Sequence, residues 1–420
     1  MSKSKSYFLG AVFLAVVSSI AASCVTQSTT RAVLQPSLRE YAARAPLMRK
    51  QIPAVVKSAQ AAAERILAHP DALIDVPYWE QAGFSEEMIN RAGGLALAYP
   101  AGASGITAAT KYDVVLLAVR SWEKDGATIR KKSLEAHTKG SLVTLIASKE
   151  GRPDDVPFDY FIDNGAPSGA AEHGKINALV NVALGWMWCC EYVSAMTRHG
   201  KIPGVLLSIA LPGADEYDAK IQSPEGRHWV GDCGTPIPAG RLSELYLKRV
   251  QQLIVDLRSR ERQEQIQRAA DIVASRMKAG GTVGVSTVGH VTIFELLEKD
   301  MKAPWKRFQA VNLEKTAFKE NLKRGDLLLW VGYMGINSKY ADFARYINEP
   351  GADVITCYSP QKESYGTVSN VVAHIDQSWA WGDAEVPLPC PPGKMAPISG
   401  INGVLIFRML DDEVSARLGR

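Results

Sequence analysis

Two long stretches of the chain repeat one hydrophobic pattern. Continuous apolar runs such as "YDVVLLAV" and "SLVTLIAS" alternate with amphipathic segments in the first stretch, and "DLLLWVGY" and "DVITCYSP" do the same in the second. Short apolar runs bounded by turn residues favour strands that are buried on both faces, and the amphipathic segments between them favour helices. The pattern therefore predicts an α/β protein with parallel sheets.

The two stretches also parallel each other along their length. Residues 113–148 align with residues 326–360, and the pair Ile162-Asp163 aligns with Ile375-Asp376. Duplication at this length predicts two doubly wound, flavodoxin-type sheets of one topology, related by a pseudo-two-fold. The predicted organisation is a first domain at 36–200, a proline- and glycine-rich connection at 201–240, and a second domain at 241–412.

The N-terminus has the layout of an export signal. A basic start precedes an apolar stretch, and the small residues of "AASC" resemble the lipobox of bacterial lipoproteins, in which the cysteine is lipidated. This predicts a signal peptide at 1–24, lipid on Cys24 and a polar tether at 25–35. The alternatives are a plain signal peptide or an uncleaved anchor. The predicted location is the cell envelope, lipid-anchored or periplasmic, or the cytoplasm if the start is misassigned.

Composition narrows the function classes. The chain has 420 residues, 22% of them charged and 46% apolar, with a net charge of +4, which is typical of a folded protein of two domains. A basic stripe with interleaved aromatic residues is missing, so nucleic acid is not expected as a partner. The sequence lacks a C-x-x-C pair and metal-ligand spacing, which argues against a metal site or a cofactor. One disulfide stays open, with no partners assigned.

The stretch "GGTVGVSTVGHVT" at 280–292 carries the strongest site signal. An apolar strand runs into a turn with two hydroxyls, Ser286 and Thr287, and a histidine, His290. Backbone N–H groups of a tight turn, small hydroxyl side chains and the next helix N-terminus together hold anions and sugar oxygens. The alternative is that Ser286 and Thr287 only cap the following helix.

These features resemble the SIS (sugar isomerase) family of phosphosugar-binding domains. The resemblance covers about 245–410, where a long helix ends in "AGG", a strand runs into "STVGH", and "RGDLLLWVGYMGINS" stands at the second ligand loop. The tail is similar to that of an uncharacterised bacterial SIS subgroup, and 36–200 resembles a second, more diverged copy. The resemblance implies tandem sugar- or phosphosugar-binding domains with the ligand at the carboxyl ends of the strands.

Departures from the family pattern bear on the ligand. In the second loop Tyr333 and Met334 replace small hydroxyl residues, while Asn337 and Ser338 remain. Losing two donors disfavours a doubly charged phosphate relative to a neutral or singly charged sugar. The first half has bulky or acidic residues where the loops should bind, which predicts a mainly structural copy. These residues are Trp79, Glu80, Glu123 and Asp125.

The tail adds further candidates. Lys394 and Ser399 frame "KMAPIS" before the last helix and are predicted to face the same cleft. Catalytic residues are unassigned, and His290 with Glu385 is the one pair nominated as acid and base for an aldose–ketose isomerase. The predicted ligand-binding set is Ser286, Thr287, His290, Asn337, Ser338, Lys394 and Ser399.

The sequence thus predicts a protein that binds a sugar or phosphosugar, without efficient isomerase chemistry. Two alternatives stay open: a true isomerase or etherase acting on a sugar phosphate or amino sugar, and a structural pseudo-domain that binds a protein partner. The expected partners are a small sugar molecule and, through the N-terminal lipid or signal anchor, the membrane. A homodimer is an open alternative.

Overall fold

The structure, a computed structural model, describes most of the chain from Gln35 onwards. The described residues are 35–77, 83–100, 110–167, 174–208, 211–224, 226–287, 305–308, 322–332, 345, 348–359, 368–379 and 382–420. The predicted signal peptide, Cys24 and nearly all of the predicted tether lie outside them and stay predictions. Residues Gln35–Arg420 form one compact unit.

The first half contains a parallel sheet of five strands, in the order β2-β1-β3-β4-β5. Its apolar runs form the strands, and the amphipathic segments between them form the helices. The elements are α1 (Pro36–Lys50), α2 (Ile52–Ala68), β1 (Ile74–Asp75), α3 (Gly83–Met88), β2 (Ala98–Tyr99), β3 (Val114–Ala118), α4 (Trp122–Lys139), β4 (Leu142–Ala147), β5 (Tyr160–Asp163) and α5 (Gly174–Arg198).

The remaining elements comprise a small ribbon, a second five-stranded sheet and a C-terminal hairpin and helix. They are β6 (Lys201–Ile202), α6 (Ala214–Gln222), β7 (Gly231–Asp232), α7 (Arg241–Leu257), α8 (Arg260–Lys278), β8 (Val283–Thr287), β9 (Trp305–Phe308), β10 (Leu327–Val331), β11 (Asp353–Tyr358), β12 (Val371–Asp376), β13 (Val386–Pro387), β14 (Lys394–Met395) and α9 (Ser399–Leu418). The second sheet has the order β9-β8-β10-β11-β12.

The two large sheets therefore have one topology. In chain order each follows the pattern 2-1-3-4-5, and all strand pairs within them are parallel. The prediction of two doubly wound sheets of the same topology is confirmed. The predicted domain boundaries and the pseudo-two-fold stay predictions.

The duplication extends to single hydrogen bonds. Asp113, just before β3, accepts the backbone N–H groups of Leu73 at 2.9 Å and Thr110 at 2.6 Å. Asp326, just before β10, accepts those of Thr282 at 3.2 Å and Lys323 at 3.0 Å. In both halves one carboxylate thus ties the first and third strands together where they begin. The aligned aspartates of the sequence have the same structural task.

The first helix of each half packs against the last helix of the other half. Helix α1 packs against α9, the last helix of the chain, and α7 packs against α5. Helix α5 is the apolar centre of the molecule, with Trp186, Trp188 and Tyr192 fully buried. Because residues on every side of this helix are buried, it is stable only when other elements cover it all round.

Candidate functional site

Near the strand end that the sequence singles out, two polar groups of the second sheet have no partner among the residues that the structure describes. Ser286 and Thr287 are the last two residues of β8. The side chain of Ser286 is fully buried, and its hydroxyl has no hydrogen-bond partner among the described residues. Trp330 on the neighbouring β10 is equally buried, and its indole N–H also lacks a partner there. Such buried polar groups need a partner, which a water molecule, a ligand or a residue outside the described ranges supplies.

These two residues belong to a line of side chains that crosses the sheet. Ser286 is in register with Trp330, Trp330 with Thr356, and Thr356 with His374. Side chains in register on adjacent parallel strands project from the same face of the sheet. We refer to Ser286, Trp330, Thr356 and His374 as the polar row.

The side chains at the His374 end of the polar row contact one another. Nδ1 of His374 lies 2.9 Å from the hydroxyl of Thr356. The ring of Tyr358, on the same face, lies 4.8 Å from the His374 ring and 6.4 Å from the Trp330 ring. Burial lowers the pKa of His374, so the imidazole is neutral at pH 7. The polar row therefore contains hydroxyls, an indole N–H and a neutral imidazole, which can form hydrogen bonds with uncharged oxygen atoms of a ligand.

The corresponding line of the first sheet is apolar. Alignment of Asp113 with Asp326 places Leu117 at the position of Trp330, and the strand registers then place Leu145 at Thr356 and Phe161 at His374. Leu117 and Leu145 are fully buried in a cluster with Ile129 and Ala136 of α4, and Phe161 packs against that cluster. The first sheet uses this face for core packing.

In the first half, a carboxylate of the protein itself lies where an anion would bind. The carboxylate of Asp125, in the first turns of α4, accepts the backbone N–H groups of Arg120 at 3.0 Å and Ser121 at 3.3 Å. It is buried and lies 3.5 Å from the Arg120 guanidinium. These N–H groups at a helix start are the ones that would hold a bound anion. Asp125, expected to repel a phosphate, takes that place itself, which supports the prediction of a structural first copy.

Ser399 from the predicted set lies in a buried ionic cluster. Its hydroxyl donates to Asp383 and accepts from Arg91 at 2.9 Å. Arg91 also contacts Asp383 at 3.1 Å and Glu87 at 2.7 Å, and all three charged side chains are at most 1% exposed. We call Glu87, Arg91, Asp383 and Ser399 the buried ionic cluster. It joins the segment after α3 to the C-terminal tail, so the Ser399 hydroxyl already has protein partners.

The other candidates have different surroundings. Lys394 is exposed in β14. Glu385 accepts from Arg249 at 3.0 Å and forms an ion pair with it. His290, Asn337 and Ser338 lie outside the described residues, as do Trp79, Glu80, Tyr333 and Met334, so those predictions stay predictions.

Sequence reasoning missed Trp330, Thr356 and His374. They lie in "DLLLWVGY", "DVITCYSP" and "VVAHID", which we interpreted as strands with no face distinguished. A comparison of the aligned segments would have set Trp330 against Leu117 and His374 against Phe161, whereas Thr356 matches Leu145 only through the strand registers.

The described residues contain neither a metal-ligand cluster nor a membrane-spanning helix. Within them, no group of three or more His, Cys, Asp or Glu side chains is placed to hold a metal ion. None of the helices that the structure describes is long and apolar enough to span a bilayer.

Comparison with known proteins identifies the fold. The chain is similar to the tagatose-6-phosphate ketose/aldose isomerase of Escherichia coli, with a TM-score of 0.53 and 11% identity over 91% of this chain and 92% of that one. It also matches the C-terminal domain of a glucosamine-fructose-6-phosphate aminotransferase from Francisella tularensis, with a TM-score of 0.47 and 9% identity over 90% and 95% of the chains. No family model and no curated protein matches the sequence. The first likeness confirms the predicted SIS-type fold; at this identity it establishes the fold alone.

Proposed function

We propose that the protein binds a neutral or singly charged sugar derivative in its second half, at the carboxyl end of β8 and along the polar row. The observation that carries the proposal is the contrast between equivalent positions: Trp330, Thr356 and His374 in one sheet, and Leu117, Leu145 and Phe161 in the other. Buried polar side chains lower stability unless they are satisfied, so their presence at three equivalent positions of one sheet favours a task beyond packing.

The chemistry of the described row favours sugar hydroxyls over a doubly charged phosphate. Ser286 and Trp330 present a hydroxyl and an indole N–H without protein partners in the described ranges. A sugar hydroxyl donates and accepts at once and can satisfy both kinds of group. Ligands of doubly wound folds bind beyond the carboxyl ends of the strands, which is where Ser286 and Thr287 lie. The fold shared with a sugar-phosphate isomerase supports a sugar as the ligand class.

A titration with amino sugars and their 6-phosphates, followed by calorimetry, tests the proposal. We expect the double variant Ser286→Ala with Thr287→Val to lose binding of any sugar that the native protein binds, because two hydroxyl contacts disappear. Thr356→Leu with His374→Phe, which copies the first sheet, should lose it too.

Thr144→Val is the matched control for that titration. Thr144 is a buried strand hydroxyl of the first half that bonds Ser58 at 2.7 Å. Its loss should lower stability and leave sugar affinity unchanged. Retained affinity in both double variants would refute the assignment of the site to the second sheet.

A second candidate function is catalysis of aldose–ketose exchange. The observation that favours it is His374: a neutral imidazole whose Nδ1 bonds Thr356 can accept a proton at neutral pH. Such an enzyme exchanges the proton on the carbon next to the carbonyl with solvent. Deuterium incorporation from D2O into glucosamine or tagatose 6-phosphate, detected by NMR and lost in His374→Phe, would support catalysis; no incorporation with a sugar that binds would leave binding as the function.

We further propose export and lipid attachment at Cys24, from the basic, apolar and small-residue blocks before it. Labelling with a palmitate analogue should disappear in Cys24→Ser, and the protein should leave the membrane fraction. Unchanged labelling would contradict lipidation at this residue. An envelope location would present cell-wall amino sugars rather than cytoplasmic phosphosugars, in line with the chemistry of the polar row.

A further inference from the structure

The first helices of the two halves, α1 and α7, leave an open groove of about 440 Å³ between them. Both helices contribute side chains at the spacing i, i+4, i+7, which places them on one side of each helix. We call this the α1–α7 groove, and its lining includes Arg39, Ala43, Pro46, Gln251, Val255 and Arg258. The lining side chains of α1 are small apart from the arginine, so the groove stays open.

The α1–α7 groove combines apolar surface with positive charge. Val255 is 59% exposed, more than any other large apolar side chain in the described part of the chain. Arg39 and Arg258 are both exposed, and their guanidinium groups have no acceptor among the residues that the structure describes. The groove therefore presents two cations beside an uncovered apolar side chain.

The acidic residues nearest to the two arginines along α1 and α7 already have cations of their own. The Glu40 carboxylate lies 3.4 Å from the Arg44 guanidinium. The Asp256 carboxylate lies 3.8 Å from the Arg249 guanidinium. The arginines of the groove thus keep their charge for an anionic ligand.

The α1–α7 groove lies where the predicted tether ends. Gln35, the last residue of that tether, comes one helical turn before Arg39. Its side-chain amide donates to Oε1 of Gln263 at 2.9 Å, and the amide of Gln263 donates to the carbonyl of Leu257 at 2.7 Å. Arg258 is the next residue. Both arginines therefore lie close to the point at which the chain enters the fold.

We propose that the α1–α7 groove binds the headgroup of an anionic phospholipid. Arg39 and Arg258 bind the phosphate, because a guanidinium matches the geometry of phosphate oxygens. Val255 contacts the glycerol and the first acyl carbons. The membrane is near because of the lipid attachment at Cys24, on which this proposal rests: Gln35 follows eleven residues later, so the groove is held within about 40 Å of the bilayer.

A headgroup site would complement the anchor. An acyl chain by itself gives only reversible membrane attachment, and a basic surface next to it strengthens that attachment when the membrane is anionic. The groove would also orient the protein, because it fixes one side of α1 and α7 against the bilayer.

Titration with a short-chain lipid tests the groove without the anchor. The full chain carrying Cys24→Ser is titrated by calorimetry with dihexanoylphosphatidylglycerol, dihexanoylphosphatidylcholine and inorganic phosphate, the lipids below their micelle concentrations. We expect the phosphatidylglycerol to bind at least about tenfold more tightly than the other two. The choline headgroup brings a cation towards the arginines, and inorganic phosphate lacks the apolar part.

Three variants in the same background locate the binding. Arg39→Gln with Arg258→Gln should weaken phosphatidylglycerol binding by about tenfold or more, because charge-assisted hydrogen bonds are lost. Ala43→Trp keeps both arginines and should weaken binding as well, because the indole fills the groove. The control, Lys124→Gln with Lys139→Gln, removes the same charge from exposed positions of α4 and should keep the affinity.

Equal affinity for the two lipids, phosphate binding as tight as that of phosphatidylglycerol, or unchanged affinity in the double arginine variant would overturn the proposal. A dimer in analytical ultracentrifugation that Ala43→Trp converts to a monomer would also overturn it, because the occupant would then be a second copy of the chain. Because the titration uses Cys24→Ser, its outcome is independent of lipidation, which palmitate labelling tests separately, and of sugar binding by the polar row.

Discussion

The two sheets have the same topology, yet one face of each carries opposite chemistry. In the first, Leu117, Leu145 and Phe161 pack under α4; in the second, the same positions are Trp330, Thr356 and His374. The carboxylates that bind the strand starts together are retained in both halves, as Asp113 and Asp326. The comparison teaches that the two halves keep the hydrogen bonds that hold their strands together, because every copy of the fold needs them. The side chains on one face of the sheet, in contrast, can diverge without loss of the fold.

The largest expected effect comes from the cluster that joins the halves. Arg91→Met leaves Glu87 and Asp383 buried without their shared cation, and breaking such a group from one side destabilises by about 3–5 kcal/mol. Chemical denaturation measures it. The control is Arg130→Met in the first half, because Arg130 pairs with Asp155 at the surface and should change stability by less than about 1 kcal/mol.

Should Arg91→Met not fold, the double variant with Asp383→Asn supplies the same information, since it removes one of the unpaired charges. A loss from Arg91→Met no larger than that of Arg130→Met would show that the cluster does not fasten the halves.

Next in size is the pH dependence of that cluster. Burial raises the pKa of Asp383 to about 6, against the neighbouring Arg91 cation and the bonds from Ser399 and Ile398, which lower it. The folded protein therefore holds the proton more tightly than the unfolded chain. The stabilisation is fully present below about pH 4 and is lost as pH rises through about 6; it amounts to about 3 kcal/mol at most, at about 1.4 kcal/mol per pKa unit.

Asp383→Asn should remove this dependence, so the difference in free energy of unfolding between native protein and variant should change between about pH 4 and 6. Glu87, Arg91 and Tyr246 face the same group and remain in the variant. His374 titrates with the opposite sign: its lowered pKa contributes stability above its ordinary value, lost as pH falls. A difference that is flat with pH would contradict the assignment to Asp383.

The duplicated aspartates should give comparable but unequal losses. Asp113 accepts a third bond, from the Thr110 hydroxyl at 3.1 Å, so Asp113→Ala should exceed Asp326→Ala, with both near about 2–3 kcal/mol. Thermal and urea unfolding give the values. Asp154→Ala, at an exposed position of the first half, is the control and should be nearly silent. A large loss at one site with none at the other would break the equivalence of the two frameworks.

The smallest effect exchanges the two faces. Leu145→Thr introduces a hydroxyl into the packed face of the first sheet and should destabilise by about 1–3 kcal/mol. Thr356→Val removes a hydroxyl from the second sheet at nearly constant volume and loses its bond to His374, so it should destabilise by about 0.5–1.5 kcal/mol. Equal losses would indicate that the polar row is as essential for packing as its apolar counterpart.

Much of the fold could be predicted, because it depends on patterns within short segments. The runs around Leu116 and Leu329 are apolar without interruption, which a strand buried on both faces requires, and Pro53 explains where the helical pattern of 36–68 divides into α1 and α2. The candidate site could be predicted only in part. Ser286 and Thr287 end their strand as expected, but a histidine such as His374 in a six-residue strand has no local signal that separates a site from a core position.

The amino-acid sequence by itself determined the α/β class, the duplication and the positions of the strands in the two large sheets, since hydrophobic periodicity acts over a few neighbouring residues. The tertiary structure alone decided what lies side by side. Arg91 and Asp383 meet across 292 positions of sequence, and the row from Ser286 to His374 exists only through strand register. Contacts between distant segments depend on how the elements pack, and local residue patterns carry no record of that packing.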